Sequence, residues 1–213
     1  LTAKAAELLW GTLQSALNGK QVLEGSSPWS DRIGDPVLAS NLHLYQDPNQ
    51  GPYGCPFDDE GTETQRLSFV EGGRLDRFYC DRAAGKALGL QTTGNGFRGL
   101  GSNPIPGLFN FIVAPGPSSF EDLVASIDEG VILDQVLGGG PGISGDFSIN
   151  VDLGYRIQGG KIVGRIKDTM VSGNVYQSLQ DAVRLGNDSE WSGSCWTPSV
   201  IVDGLSVVGK SEG

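Results

Sequence analysis

The run from Gly145 to Gly173 constrains this chain more than any other stretch. It reads G-D-F-S-I-N-V-D-L-G-Y-R-I-Q-G-G-K-I-V-G-R-I-K-D-T-M-V-S-G. Residues 155–158 (Y-R-I-Q) and 161–166 (K-I-V-G-R-I) flank Gly159-Gly160. Two adjacent glycines can both take φ > 0, as a tight type I′ turn requires. The run is therefore expected to form two strands around a Gly-Gly turn, followed by a third extended piece.

Glycine carries the same message through the rest of the chain. There are 33 glycines in 213 residues, about twice the usual ~7% share. They follow no Gly-X-Y period, which excludes collagen. They separate short apolar runs, the pattern of many turns in a strand-rich fold. The expected fold class is α+β: a mostly antiparallel sheet, barrel-like or a sandwich, with a few short helices. The chain is long enough to bury a real core. The expectation is one domain over residues 1–213, opening on a helix within residues 1–20.

Along the chain, residues 2–18 read as an amphipathic helix, with Ala6, Leu9, Leu13, Ala16 and Leu17 on one face, Thr2 as N-cap and Gly19 as the C′ residue. Residues 24–36 and 47–61 read as loops. Residues 37–45 read as a strand. A hairpin is expected over 62–70 and 74–80 around Glu71-Gly72-Gly73, then a short helix over 81–88 capped by Asp81 and ended near Gly89. Residues 94–108 read as a Gly/Pro-rich loop, and 109–113 as a strand. A helix follows at 119–129, where Ser119 precedes Asp122 in near capping-box spacing. Further expectations are a strand at 131–137, a helix after Asn174 using Val175, Leu179, Val183 and Leu185, and strands at 198–202 and 205–209. Several hairpins imply sheet edges to cover, by a partner strand, a peptide or a second copy of this chain. The apolar face of the first helix is expected to be partly uncovered.

Charge and cysteine usage narrow the function classes. The formal charge is −10, with 25 acidic residues against 15 basic ones and no basic stripe. Phosphate-backbone affinity comes mostly from Lys and Arg, so nucleic acid is not an expected partner. Cys55, Cys80 and Cys195 are far apart, odd in number and without C-x-x-C, which fits reduced thiols and a cytoplasmic protein rather than a disulfide framework. No signal-peptide pattern or apolar run near 18 residues occurs, so no membrane partner is expected. The chain starts without Met, directly in a helical pattern, which suggests a piece of a longer protein.

The residues that could carry chemistry are few. G-x-G-x-x-G occurs at Gly94, Gly96, Gly99 and at Gly140, Gly142, Gly145, but a dinucleotide site needs a helix after the glycines. Gly101 and Pro104 follow the first, and a strand pattern follows the second, so both read as turns. Asp58, Asp59 and Glu60 could hold a hard cation or form a solvated turn; the D-x-D-x-D-G spacing of a calcium loop is absent. Ser144 and Ser194 lack the G-x-S-x-G context of an activated serine. A Ser-His or Cys-His site must use His43, the single histidine. In N-L-H-L-Y it reads either as a strand-surface residue opposite Leu42 and Leu44 or as a base for Cys195, which lies in S-G-S-C-W.

Four stretches resemble one family, the TldD/PmbA proteins, also called modulators of DNA gyrase. They are P-F-D-D-E-G-T-E-T-Q-R (56–66) with E-G-G-R-L and Y-C-D-R-A-A-G-K-A-L-G (79–89); S-F-E-D-L-V (119–124) leading to V-I-L-D-Q-V-L-G (131–138); G-D-F-S with G-Y-R-I-Q-G-G-K-I; and P-S-V-I-V-D-G-L-S-V-V-G (198–209). The resemblance covers nearly the whole chain and implies the second half of such a protein, without the family's N-terminal α/β domain. In the TldD branch the opening helix carries H-E-x-x-x-H, whose two His ligate zinc while the Glu serves as base, and a cysteine near the C-terminus looks like a further ligand. Aligning A-L-N-G (16–19) with the segment after that motif puts Trp10, Gly11 and Ser15 where His, Glu and His would be. Cys195 matches the cysteine, with different spacing around it.

The resemblance is thus to the PmbA branch, also called TldE, which lacks the zinc motif. It implies no catalytic, cofactor-binding or metal-ligating residue in this chain. It also implies a TldD-like partner that supplies the zinc, and a heterodimer that trims or degrades unfolded or modified peptides. The rival expectations are a self-sufficient peptidase, using residues outside this chain or a Cys195/His43 site, and a pure protein-binding module.

Overall fold

A computed structural model describes residues 1–181 and 183–209. The chain forms two compact units. One comprises Leu1–Thr12, Ala114–Ser192 and the residues from Thr197; the other comprises Leu13–Val113 and Gly193–Trp196. The expected class holds: the structure is 34% strand and 17% helix, and among the described residues its sheets are mostly antiparallel, with Cys195–Thr197 parallel to Phe111–Val113. Among the described residues no sheet closes into a barrel.

The first unit is organised around the strand Asp146–Gln158, thirteen residues long. Its buried and exposed residues alternate from Phe147 to Val151, the mark of a strand with one face on a core. Glu129–Leu137 pairs antiparallel along one edge. Along the other edge lie Lys161–Arg165 and then Thr169–Asn174, with Ser206–Gly209 outermost beside Thr169–Ser172. The Gly159-Gly160 turn is present, with φ +54 and +72. One extra residue enters the ladder after Ile157↔Ile162, a bulge. From Tyr155↔Arg165 to Asp146↔Asn174 the register then holds, bridged by Ile166 N donating to Gly154 O at 3.0 Å. Asp168 in that bridge takes φ +48.

The turn docks on its own neighbours. Gly159 N donates to Asp128 O (2.6 Å) and Gly160 N to Ile127 O (2.9 Å). Asp128 and Ile127 follow the helix Phe120–Ala125, whose Ser119–Asp122 capping box forms on both sides. Val124, Ile132 and Ile157 make a buried cluster there, with Phe120, Ile127 and Tyr155 packed against it.

In the second unit Leu44–Gln46 pairs with Phe111–Val113 on one side and Leu67–Glu71 on the other, and Leu67–Glu71 pairs with Arg74–Leu75. Cys195 and Trp196 add in parallel to Phe111 and Ile112. The rings of Phe69 and Phe111 stack with centroids 6.3 Å apart, and Tyr79 meets Phe69 edge-on at 6.0 Å. A buried polar knot joins distant segments: Gln46 and Asn95 exchange amide hydrogen bonds of 3.2 and 2.8 Å, Thr93 Oγ1 donates to Asn95 Oδ1, and Asn95 Nδ2 also donates to Gly107 O. Buried amides satisfied in this way favour one arrangement of the loops that supply them.

Several sequence expectations shift. The first helix runs Ala3–Ala16, and its apolar face is covered: Ala6, Leu9, Leu13, Ala16 and Leu17 are all fully buried. Thr2 accepts Ala6 N through its carbonyl, while its hydroxyl has no partner among the described residues. Gly19 does not end this helix. It opens a second one, Gly19–Leu23, capped by Asn18, and it is glycine for space: a Cβ would lie 2.5 Å from Cys80 Sγ. Residues 37–43 form no strand because they wrap the Gly72-Gly73 turn, with Val37 and Leu38 donating to Gly73 O and Gly73 donating to Leu42 O. The helix after Asn174 stops at Ser178, and Arg184–Leu185 instead pairs with Val200–Ile201. The helix Arg82–Leu88 has the expected ends, Asp81 capping Ala84 N and Gly89 left-handed.

The two turn glycines should differ in their tolerance of alanine. At Gly159 a Cβ meets nothing within 4 Å, whereas at Gly160 it would lie 2.7 Å from Ala125 O. Gly159→Ala carries only left-handed strain, about 1–2 kcal/mol. Gly160→Ala adds a backbone clash and should cost about 2–4 kcal/mol. Urea unfolding of the two variants measures this; equal losses would show that docking on Ala125 does not matter.

Candidate functional site

The opening helix buries Trp10, exposes Gly11 and leaves Ser15 half-buried. Trp10 is fully buried, and its Nε1 donates to Thr197 Oγ1 at 2.6 Å. Thr197, itself fully buried, passes the bond on to Pro198 O at 3.1 Å. A buried indole N–H needs such an acceptor. The contact spans 187 positions of sequence, and no local signal announces it.

Gly11 is exposed, and a Cβ there would meet nothing within 4 Å. It opens on a cleft of about 480 Å³ in the first unit. Lys4, Glu7, Leu8 and Thr12 line one side of that cleft, and residues 134–136, 138, 140 and 141 line the other. Thr12 Oγ1 donates to Pro141 O at 3.4 Å, and Ser192 Oγ donates to Glu7 Oε2 at 2.6 Å. The G-G-G-P-G stretch therefore supplies cleft wall and turn. Gly145, just beyond it, is glycine because a Cβ would strike the Tyr176 ring at 2.7 Å.

The acidic cluster is occupied by backbone. Asp58 is buried and accepts from Glu60 N, Thr62 N and Gly96 N at 2.8–3.0 Å. Asp59 accepts from Arg98 N and Glu60 from Arg82 N, each at 2.8 Å. Asp58 and Asp59 tie the 56–64 loop to the 94–98 segment, and Glu60 ties it to the start of the helix Arg82–Leu88. Among the described residues no group of three or more His, Cys, Asp and Glu is arranged to hold a metal. The first G-x-G-x-x-G is followed by the short strand Ile105–Pro106 and the second by Asp146–Gln158, so neither meets a helix N-terminus.

His43 is half-exposed, with Nδ1 3.0 Å from Glu71 Oε1 and 3.2 Å from Gly72 N. One ring nitrogen cannot donate to Glu71 and accept from Gly72 at once. Ser68 Oγ donates to Glu71 at 2.9 Å, and this bond, helped by His43 and Arg66, holds the Glu71 carboxyl below the usual range against the opposing effect of burial. Cys195 is 2% exposed and sits in strand Cys195–Thr197. Ser144 and Ser194 are exposed loop residues.

Comparison with known proteins places these features. The PmbA/TldA metallopeptidase C-terminal domain model matches residues 1–209. A metalloprotease TldD homolog from Buchnera aphidicola subsp. Acyrthosiphon pisum is 30% identical over 186 residues, covering 85% of this chain and 38% of its own. The crystal structure of a Thermotoga maritima protein described as a modulator of a DNA gyrase superposes with a TM-score of 0.85 at 32% identity, over 94% of this chain and 46% of that one. TldE from Thermococcus kodakarensis superposes with a TM-score of 0.83 at 26% identity, over 92% and 46%. The chain spans less than half the length of these relatives. No helix among the described residues is long and apolar enough to cross a membrane.

Thiol chemistry reads the local geometry directly. Burial, with Asp81 nearby, pushes the Cys80 thiol up to about 11. Cys55 is only half-buried, and its thiol is also raised, by burial first and then by Asp58 and Asp59. Alkylation follows thiolate fraction and access. Cys55 should therefore react first in the native protein, with Cys80 and Cys195 at least ~10-fold slower until denaturant is added. Peptide mapping after timed iodoacetamide treatment checks the order; fast native labelling of Cys195 would contradict its burial.

Proposed function

The chain belongs to the PmbA/TldD metallopeptidase family, as its C-terminal domain, and on that premise we propose that it is the non-catalytic, TldE-like member of a peptide-processing pair. A TldD-like chain supplies the zinc, and the pair acts in the cytoplasm on unfolded or modified peptides. This chain contributes a shaped surface and no chemistry of its own.

The observation that carries the reading is the fate of the helix positions that resemble the zinc motif. Trp10 stands where the first His would be and is bonded to Thr197 rather than open to a ligand. Gly11 stands where the Glu would be, beside a cleft that would admit a side chain but receives none. Structural and catalytic zinc sites take three or four protein ligands. Of the residues in question only Cys195 resembles a ligand, and a single thiol cannot make such a site. The superposition on a protein named TldE agrees with this assignment. The G-rich wall of the cleft keeps room for an extended peptide backbone, which suits a subunit that holds substrate for another's metal.

The decisive measurement is metal content with and without a TldD-type partner. Dialysed protein alone should hold well under one zinc per chain, and peptidase activity should appear only with a chain bearing H-E-x-x-x-H. In that mixture Cys195→Ser and His43→Ala should keep activity within about tenfold. One tightly bound zinc per chain in the isolated protein, or peptidase activity without a partner, would overturn the reading.

A further inference from the structure

The sequence holds Asn or Asp directly before Gly at Asn18-Gly19, Asn95-Gly96 and Asp203-Gly204. Such pairs share a reaction. The glycine N attacks the side-chain carbonyl carbon of the residue before it and closes a succinimide ring, and no Cβ on the glycine crowds the attack. Ring closure needs a glycine N that is not held as a donor elsewhere, and a side chain free to swing onto the main chain. The fold withholds both conditions from the two asparagines. Gly19 is buried, and its N donates to Tyr79 O at 2.9 Å. Asn18 Oδ1 is held as a cap, accepting from Lys20 N at 2.9 Å. Gly96 N donates to Asp58 Oδ2 at 2.9 Å. The fully buried Asn95 side chain is fixed at both ends by Gln46, Thr93 and Gly107.

Asp203-Gly204 is built the other way. Both residues are exposed and lie outside helix and strand, in the connection from Val200–Ile201 to Ser206–Gly209. Gly204 N donates to none of the described residues, and the Asp203 carboxyl accepts from none of them. Gly204 takes φ +79, with nothing within 4 Å of the place a Cβ would occupy. The pair borders a cleft of about 310 Å³ shared with Asp146, Asn174, Gln177 and Ser178, which leaves room for the side chain to turn and for water to enter.

We propose that Asp203-Gly204 is a site of spontaneous isoaspartate formation, the pair of this kind that the folded protein leaves reactive. In the closing step a bond forms between Gly204 N and Asp203 Cγ. A C–O bond of the protonated carboxyl breaks, and its hydroxyl leaves with the N–H proton as water. Hydrolysis of the ring then adds one water back. Opening at Cγ restores aspartate; opening at the main-chain carbonyl gives isoaspartate. No oxidant, reductant or cofactor enters either step. In isoaspartate the main chain runs through Cβ and Cγ, so the connection after Ile201 is one carbon longer. Ser206–Gly209 pairs with Thr169–Ser172 at the outer edge of the sheet, and the lengthened connection is the one that delivers this strand to its register.

The test ages the unsubstituted chain beside Asp203→Asn, a change at an exposed residue that places a third Asn-Gly pair in the same folded protein. Asparagine closes the same ring with loss of ammonia. Both proteins are kept for weeks at neutral pH in heavy-oxygen water and mapped by peptide mass spectrometry, with isoaspartate read by a methyltransferase specific for it. The unsubstituted chain should take up heavy oxygen and gain isoaspartate at residue 203. The variant should deamidate at residue 203, with Asn18 and Asn95 at least ~10-fold slower because their reaction requires local opening. In denaturant the three Asn-Gly pairs of the variant should react at similar rates. Absence of heavy oxygen and isoaspartate at Asp203 in the unsubstituted chain would overturn the proposal. So would deamidation of Asn18 or Asn95 as fast as that of residue 203 in the folded variant.

Discussion

The pairing of Asp146–Gln158 along both of its edges is the constraint on which the first unit depends. A strand of thirteen residues with partners on each side fixes where every neighbouring segment must lie. A slip of one residue would send Phe147, Ile149, Val151 and Ile157 to the solvent face. Gly159-Gly160 sets the register at one end by closing the hairpin and docking on Ile127 and Asp128. Asn174 guards the other end. Its side chain accepts from Tyr176 N and donates to Ser144 O and Asp146 Oδ1. The ladder is thereby closed by hydrogen bonds at both ends, and the bulge near Val163 adds local twist without disturbing the register beyond Arg165.

The chemistry of the opening helix follows from what a buried tryptophan requires. An indole brings a large apolar surface and one N–H that must find an acceptor. Thr197 supplies that acceptor and is satisfied in turn by Pro198. At the neighbouring position Gly11 brings no side chain into the cleft. The two residues act on different levels: Trp10 is packed and hydrogen-bonded in the interior, and Gly11 leaves open space beside the cleft.

What could be read from the sequence was what is encoded locally. Both Gly-Gly hairpins, the Asp81 cap, the left-handed Gly89 and the Ser119–Asp122 capping box involve residues within a few positions of one another, and each stands in the structure where the sequence puts it. The misplaced elements share a cause. Apolar spacing over Val183 and Leu185 looks helical, but pairing of Arg184–Leu185 with Val200–Ile201 overrides it. The 37–43 segment has the composition of a strand, yet its backbone donors go to the turn at Gly73. The candidate site was legible in the same uneven way. The absence of His and Glu at positions 10 and 11 is plain in the sequence; the Thr197 acceptor, 187 residues away, is not.

Glycine does two separable jobs in this chain, and only one leaves a composition signal that points to strands. At Gly159 the demand is conformational, a left-handed φ with open space around it. At Gly19 it is steric, with Cys80 Sγ and Tyr79 O crowding the missing Cβ. Gly96 is steric as well, because Glu60 folds over it while Asp58 takes its N–H. The steric glycines sit where carboxylates and loops close on one another, which is why D-D-E at 58–60 looks like a cation site in sequence. In the structure those charges are spent on backbone N–H groups from residues up to 39 positions away. An acidic cluster used as a loop clamp needs close backbone approach, and close approach needs glycine. Gly96 and the acidic turn are therefore parts of one solution, which ties the 56–64 loop to the 94–98 segment.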